Sequence, residues 1–146
     1  MRRPFTQLYL HLVWSTWDRI PMLGPEIKPL VYAAIQAECA KLKADVGAVG
    51  GTEDHVHLLT RIPTIITVAQ LAKQVKGSTS HLVTHLEGTE QFLKWQGGYG
   101  AFSVSRSDVR RVKAYVLNQE QHHRDHTTER DLEVAWEEAV PSIEAP

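Results

Sequence analysis

With a single cysteine, Cys39, among its 146 residues, the chain can form no internal disulfide, which fits a reducing compartment and excludes a disulfide-stapled scaffold. No apolar run is long enough to span a bilayer, and there is no internal repeat, low-complexity stretch or linker. Those absences exclude a helical membrane protein, a solenoid and a disordered chain. The opening Met1-Arg2-Arg3-Pro4-Phe5 is basic, but Gln7, His11 and Trp14 break the apolar stretch behind it and no small-residue cleavage site follows. A cytoplasmic location is the expectation. What is present, 42% hydrophobic and 23% charged residues, suits one globular domain large enough to bury its own core.

The net charge of −1 conceals a division. Residues 127–146 hold six of the 17 acidic residues and only one of the 16 basic ones, Arg130, so residues 1–126 carry about four net positive charges. The expected organisation is a single domain over 1–126 with 127–146 as its acidic C-terminal tail. A mildly basic body is compatible with a phosphate-binding surface and equally with an ordinary solvated face.

From Thr6 to Ser15, Leu8, Leu10, Leu12 and Trp14 alternate with Gln7, Tyr9 and His11, the period of a half-buried strand. Glu26 to Lys43 places Ile27, Leu30, Val31, Ala34, Ile35 and Leu42 on one helical stripe. Ala44–Gly51 and His55–Ile62 read as two strands joined through Glu53-Asp54. Thr67 is positioned to cap a helix to about Leu86, with Val68, Leu71, Ala72, Val75 and Leu82 as its apolar stripe. Phe92–Trp95 and Ala101–Ser105 suggest one interrupted strand or two short ones. Ser107 then caps a helix to about His122, and the tail has a short helical pattern around Leu132, Val134 and Trp136. Strand, helix, strand, strand, helix, strand is the order of an α+β, ferredoxin-like antiparallel sheet with helices on one face, here with an added C-terminal helix carrying Tyr115.

His55-Val56-His57 is the sharpest chemical feature. A strand points His55 and His57 to one face and Val56 and Leu58 to the other, so the imidazoles either share a metal or line a solvated strand face. On the last helix Tyr115 and Gln119 lie four residues apart, hence on one face. They either act on one site or serve as a core aromatic and a solvated amide. Phenol ionises near pH 10, so at neutral pH only about one tyrosine in a thousand is phenolate, a deficit of roughly 4 kcal/mol for direct attack. A divalent ion held partly by the neutral Gln119 oxygen, Mg²⁺ or Mn²⁺, would help to offset it.

Four blocks now stand in order: Leu10-His11-Leu12-Val13-Trp14, Asp54-His55-Val56-His57-Leu58-Leu59, Trp95-Gln96-Gly97-Gly98-Tyr99-Gly100-Ala101-Phe102, and Tyr115-Val116-Leu117-Asn118-Gln119-Glu120-Gln121-His122-His123. Through them, over Gln7 to about Glu129, the chain resembles the single-tyrosine HUH transposases, which move insertion sequences as single strands with hairpin ends. The resemblance implies that His55, His57 and Gln119 hold a divalent metal and that Tyr115 is the nucleophile. It implies cleavage of single-stranded DNA to a 5′-phosphotyrosine and a 3′-hydroxyl, followed by rejoining. It also implies a homodimer with the tyrosine helix commonly supplied in trans.

Arg106, Arg110, Arg111 and Lys113 are candidate phosphate contacts, with a solvated face as the alternative. His11 either approaches the metal pair, if the first and third strands are neighbours, or has a structural or DNA-contacting role. His122 and His123 lie one turn past Gln119, either near the site or at a solvated helix end, and His81, His85 and His126 have no matched role. Residues 129–146 match no motif of the family. The absence of extra basic segments points to an element-borne enzyme rather than a repeat-associated, domesticated relative. Rival readings are a single-strand nickase of the replication-initiator or relaxase type, separated by a DNA-joining assay, and a non-catalytic ferredoxin-like nucleic-acid-binding module, which would bind equally well in a metal chelator.

Overall fold

A computed structural model describes residues 2–88 and 90–135. Four strands, β1 (Tyr9–Ser15), β2 (Asp45–Gly51), β3 (His55–Arg61) and β4 (Gly100–Val104), form one antiparallel sheet in the order β2-β3-β1-β4. Helices α1 (Lys28–Lys41) and α2 (Val68–Thr84) connect them in the ferredoxin-like order. Both pack on the face that carries Leu12, Trp14, Val49, Val56 and Leu58, forming the main core with Val31, Ile35, Cys39, Leu71 and Val75.

Local chemistry accounts for the two connecting helices. Pro29 sits in the first turn of α1, where a missing N–H costs nothing. Thr67 caps α2 as expected, its hydroxyl accepting from the Gln70 N–H while the Gln70 side chain accepts from the Thr67 N–H. The apolar stripes differ in detail from the sequence pattern: Leu30 and Leu82 are partly exposed, and Val83 fills the core in place of Leu82.

The opposite face of the sheet receives α3 (Val109–Leu117), over a smaller core of Ala48, Leu59, Val104, Val112 and Val116. It comes so close that a Cβ at Gly50 would lie 2.0 Å from the Val116 carbonyl oxygen. Four boundaries depart from the sequence reading. Strand β1 begins at Tyr9 rather than Thr6, where pairing with Arg61 and Val104 begins. The last helix is not continuous to His122: non-helical dihedrals at Asn118 divide it into α3 and α4 (Gln119–Arg124). Its start follows a 3-10 turn at Arg106–Asp108 that Ser105, not Ser107, precedes, the Ser105 hydroxyl donating to Asp108. Phe92–Trp95 is no strand, since only Trp95 makes a bridge, with Thr16. In the tail, Leu132 ends a 3-10 turn (Arg130–Leu132), whereas Trp136 lies outside the described residues.

Candidate functional site

The β1–β3 register sets Val13 opposite His57 and His11 opposite Leu59. His11, His55 and His57 therefore share the sheet face that α3 covers, and all three are at most 1% exposed. The division at Asn118 lets α4 start with Gln119 buried against them, its side-chain oxygen 3.2 Å from both His55 Nε2 and His123 Nε2. The Gln119 amide N–H donates to the Tyr115 carbonyl, which aims that oxygen at the histidines. One helix turn back, the Tyr115 ring lies edge-on to His57 with centroids 6.0 Å apart and stacks on His122. His55, His57, Tyr115 and Gln119, four residues from two separate stretches of sequence, thus meet in one place.

Glu133, which the sequence left in an unassigned acidic tail, joins them. Its Oε2 lies 3.0 Å from His57 Nε2 and 3.4 Å from His55 Nε2, and its Oε1 accepts the Tyr115 hydroxyl hydrogen. The Tyr115 oxygen in turn accepts the Glu129 N–H at 3.0 Å, and Arg111 pairs with the Glu129 carboxylate at 2.9 Å. The tail is seated by close packing: a Cβ at Gly100 would lie 1.7 Å from the Val134 carbonyl oxygen, and Ala135 is buried. No periodicity or motif marks these contacts; an acidic residue after the tyrosine helix is the only signal the sequence offered.

The electrostatics follow from burial and this shared carboxylate. Burial alone would lower the His55 pKa, but hydrogen bonds to Asp54 and Glu133 outweigh it and raise the pKa to about 9. His57 is lowered because burial outweighs its Glu133 contact. His11 falls to about 3, through burial first and then the neighbouring His57. Burial would raise Glu133, yet its hydrogen bonds from His55 and His57 hold it well below the usual carboxylate range. Tyr115 is pushed up by burial and by its bond to Glu133, so the site by itself opposes a phenolate.

One ligand atom each from His55, His57 and Glu133 lies within 4.8 Å of the others. The nitrogen-to-oxygen separations of 3.0 and 3.4 Å are close to the edge of an octahedron with bonds of about 2.1 Å, roughly 3 Å. Two imidazoles, a carboxylate and an amide oxygen are a mixed nitrogen and oxygen donor set that could hold a divalent ion. The phosphate-contact candidates are less uniform. Arg106, Arg110 and Lys113 are exposed, while Arg111 is engaged with Glu129. His123 lies at the site beside Gln119 and His55 rather than at a solvated helix end.

A ferredoxin-like sheet that brings paired histidines and a carboxylate to a helix-borne tyrosine defines a class, proteins with a tyrosine hydroxyl beside a metal-type donor set. The chain belongs to the IS200-like transposase family, whose description, "Transposase IS200 like", matches residues 4–119. Glu133 lies beyond that match. No curated protein sequence matches the chain as a relative. Among solved structures it is similar to a candidate transposase from Deinococcus radiodurans R1, with 20% identity, TM-score 0.61, and coverage of 82% of this chain and 95% of that one. It is also similar to a REP-associated tyrosine transposase bound to a REP hairpin, with 17% identity, TM-score 0.60, and coverage of 98% of this chain and 93% of that one. At these identities the likeness establishes the fold. No helix among the described residues is long and apolar enough to cross a membrane.

Proposed function

We propose that this transposase cleaves and rejoins single-stranded DNA at the hairpin-bearing ends of an insertion sequence, through a 5′-phosphotyrosine on Tyr115. The observation that carries this reading is the Glu133 carboxylate, which joins the Tyr115 hydroxyl to both paired histidines. Family membership supplies the transposase chemistry, and the hairpin in the similar REP-associated structure motivates the substrate form.

In cleavage the Tyr115 oxygen bonds to phosphorus and the bond from phosphorus to the 3′-oxygen breaks. The phenol proton is lost to water, and the departing 3′-oxygen takes a proton from water. In rejoining, a second 3′-hydroxyl attacks the phosphotyrosine and Tyr115 recovers its proton, so one phosphoester is exchanged for another without hydrolysis. His55, His57, Gln119 and Glu133 would hold Mg²⁺ or Mn²⁺, which when bound supplies positive charge against the scissile phosphate. Asp54 and Thr52, at 2.7 and 2.9 Å from His55 Nδ1, hold that ring so that Nε2 faces the site. Arg106, Arg110 and Lys113 are proposed to meet the DNA backbone.

The active form is proposed as a homodimer. In the single chain Tyr115 stands beside its own histidines, and in the proposed dimer α3 is exchanged so that the tyrosine meets the histidines of the second copy. The test of the chemistry uses labelled single strands from the flanks of the gene, resolved on a denaturing gel. Wild type with Mg²⁺ should retain a protein–DNA adduct, and Tyr115→Phe or chelated wild type should not. A normal adduct in Tyr115→Phe would refute the nucleophile. Joining of the cleaved strand to a second strand distinguishes the transposase from a nickase.

A further inference from the structure

Behind His57 lies a buried imidazole that this chemistry does not use. His11 Nε2 is 2.7 Å from His57 Nδ1, the two rings are within 9° of parallel, and both side chains are fully buried. Phe102, from β4, packs on the His11 ring with centroids 5.8 Å apart. At such a separation one hydrogen lies between the two nitrogens, and which nitrogen owns it decides what His57 offers at its other end. If His11 donates, His57 Nδ1 is the acceptor and His57 Nε2 carries the hydrogen that it gives to Glu133. If His57 donates, its Nε2 holds a lone pair directed at Glu133, His55 and the space between them.

We propose that His11 is a positioning residue that accepts the His57 Nδ1 hydrogen and so fixes His57 in the tautomer whose Nε2 binds a divalent cation. The inference rests on the metal reading given above. Among the described residues, His11 is the hydrogen-bond partner of His57 Nδ1. Without it, a cation on Nε2 would leave a buried N–H with nothing to receive it. The arrangement also has a cost, because His11 Nδ1 is itself buried with no hydrogen-bond partner. An apolar side chain would fill the same space beside Phe102 without that cost, so space-filling does not explain an imidazole here. A histidine that binds a metal through one nitrogen needs an acceptor at the other to fix ring and tautomer, and loss of that acceptor commonly weakens the metal by 10- to 100-fold.

The test compares wild type, His11→Phe and His11→Gln for Mn²⁺ affinity, read from the electron paramagnetic resonance of free Mn²⁺. His11→Phe should bind the ion about 10- to 100-fold more weakly, and His11→Gln, whose amide oxygen accepts a hydrogen bond, should recover most of the loss. A merely structural His11 would give the opposite pattern, lowered thermal stability with unchanged affinity. Long-range ¹H–¹⁵N correlation of metal-free wild type reads the tautomer without any substitution, and should find the His57 hydrogen on Nδ1. Wild-type affinity in folded His11→Phe, or a hydrogen on Nε2 of His57 in the metal-free protein, would overturn the inference alone. Should His11→Phe not fold, the tautomer measurement decides. Absence of ion binding by wild type would overturn the metal reading and this inference with it.

Discussion

Tyr115 is held in a state that favours the phenol: it is buried, donates to Glu133 and accepts from the Glu129 N–H. The first two effects raise its pKa, while the Glu129 N–H and the Gln119 side chain favour the anion. Removing the negative charge should therefore ease ionisation. In Glu133→Gln, Tyr115 is expected to ionise at lower pH than in wild type, while burial keeps it above an exposed tyrosine. Phenolate absorbance across alkaline pH, taken as the difference from the same protein carrying Tyr115→Phe, measures this, and an unchanged or higher pKa would contradict the role given to the carboxylate. Cys39 offers a separate check on the core. Burial first and then Glu38 raise its pKa to about 11, so the thiolate fraction at pH 8 is far below that of a free thiol. Alkylation at that pH should be slow in the native chain and become fast on unfolding.

At the scale of elements, placement of Tyr115 depends on α3 lying against β2 at Gly50. No β-carbon fits there unless the helix backs away, because the obstructing atom is the Val116 backbone oxygen. Gly50→Ala should therefore displace Tyr115 and Gln119 together. We expect loss of at least about 90% of adduct formation, roughly 1.4 kcal/mol or more in barrier, in a chain that keeps its circular dichroism. Full activity in that variant would show that α3 does not need this seat. The same elements explain how much was legible in sequence. Period two in β3 put His55 and His57 on one face, and Thr67 marked the start of α2, because such signals lie within a few residues. The Asn118 division was not legible, since Val116-Leu117-Asn118-Gln119 carries neither glycine nor proline. Nor was Glu133, whose position depends on Gly100 leaving room for the Val134 carbonyl and on Ala135 finding a buried place. These are contacts between distant segments, which no local pattern records.

For the whole molecule the question is whose histidines receive the tyrosine. In the single chain α3 rests on its own sheet, so a His57→Ala chain mixed with a Tyr115→Phe chain should give no rescue if this arrangement persists. Rescue after confirmed subunit exchange would instead establish the trans form that the family resemblance implied. The surface bears on DNA in a way that salt can read. Binding of a single-stranded hairpin substrate should weaken with salt, and Arg110→Ala or Lys113→Ala should each reduce the log–log slope by about 0.7 for a lost phosphate contact. Arg111→Ala should change the slope less, because that guanidinium already pairs with Glu129.

The most direct measurement is the site of covalent attachment. Wild type incubated with a cleavable single strand and Mn²⁺, digested with protease and nuclease, should yield one peptide bearing a nucleotide remnant on Tyr115 by mass spectrometry. Chelation or His57→Ala should abolish it. A remnant on Tyr9, Tyr32 or Tyr99, or attachment to Tyr115 that persists undiminished in chelator and in His57→Ala, would contradict a metal-assisted Tyr115 nucleophile.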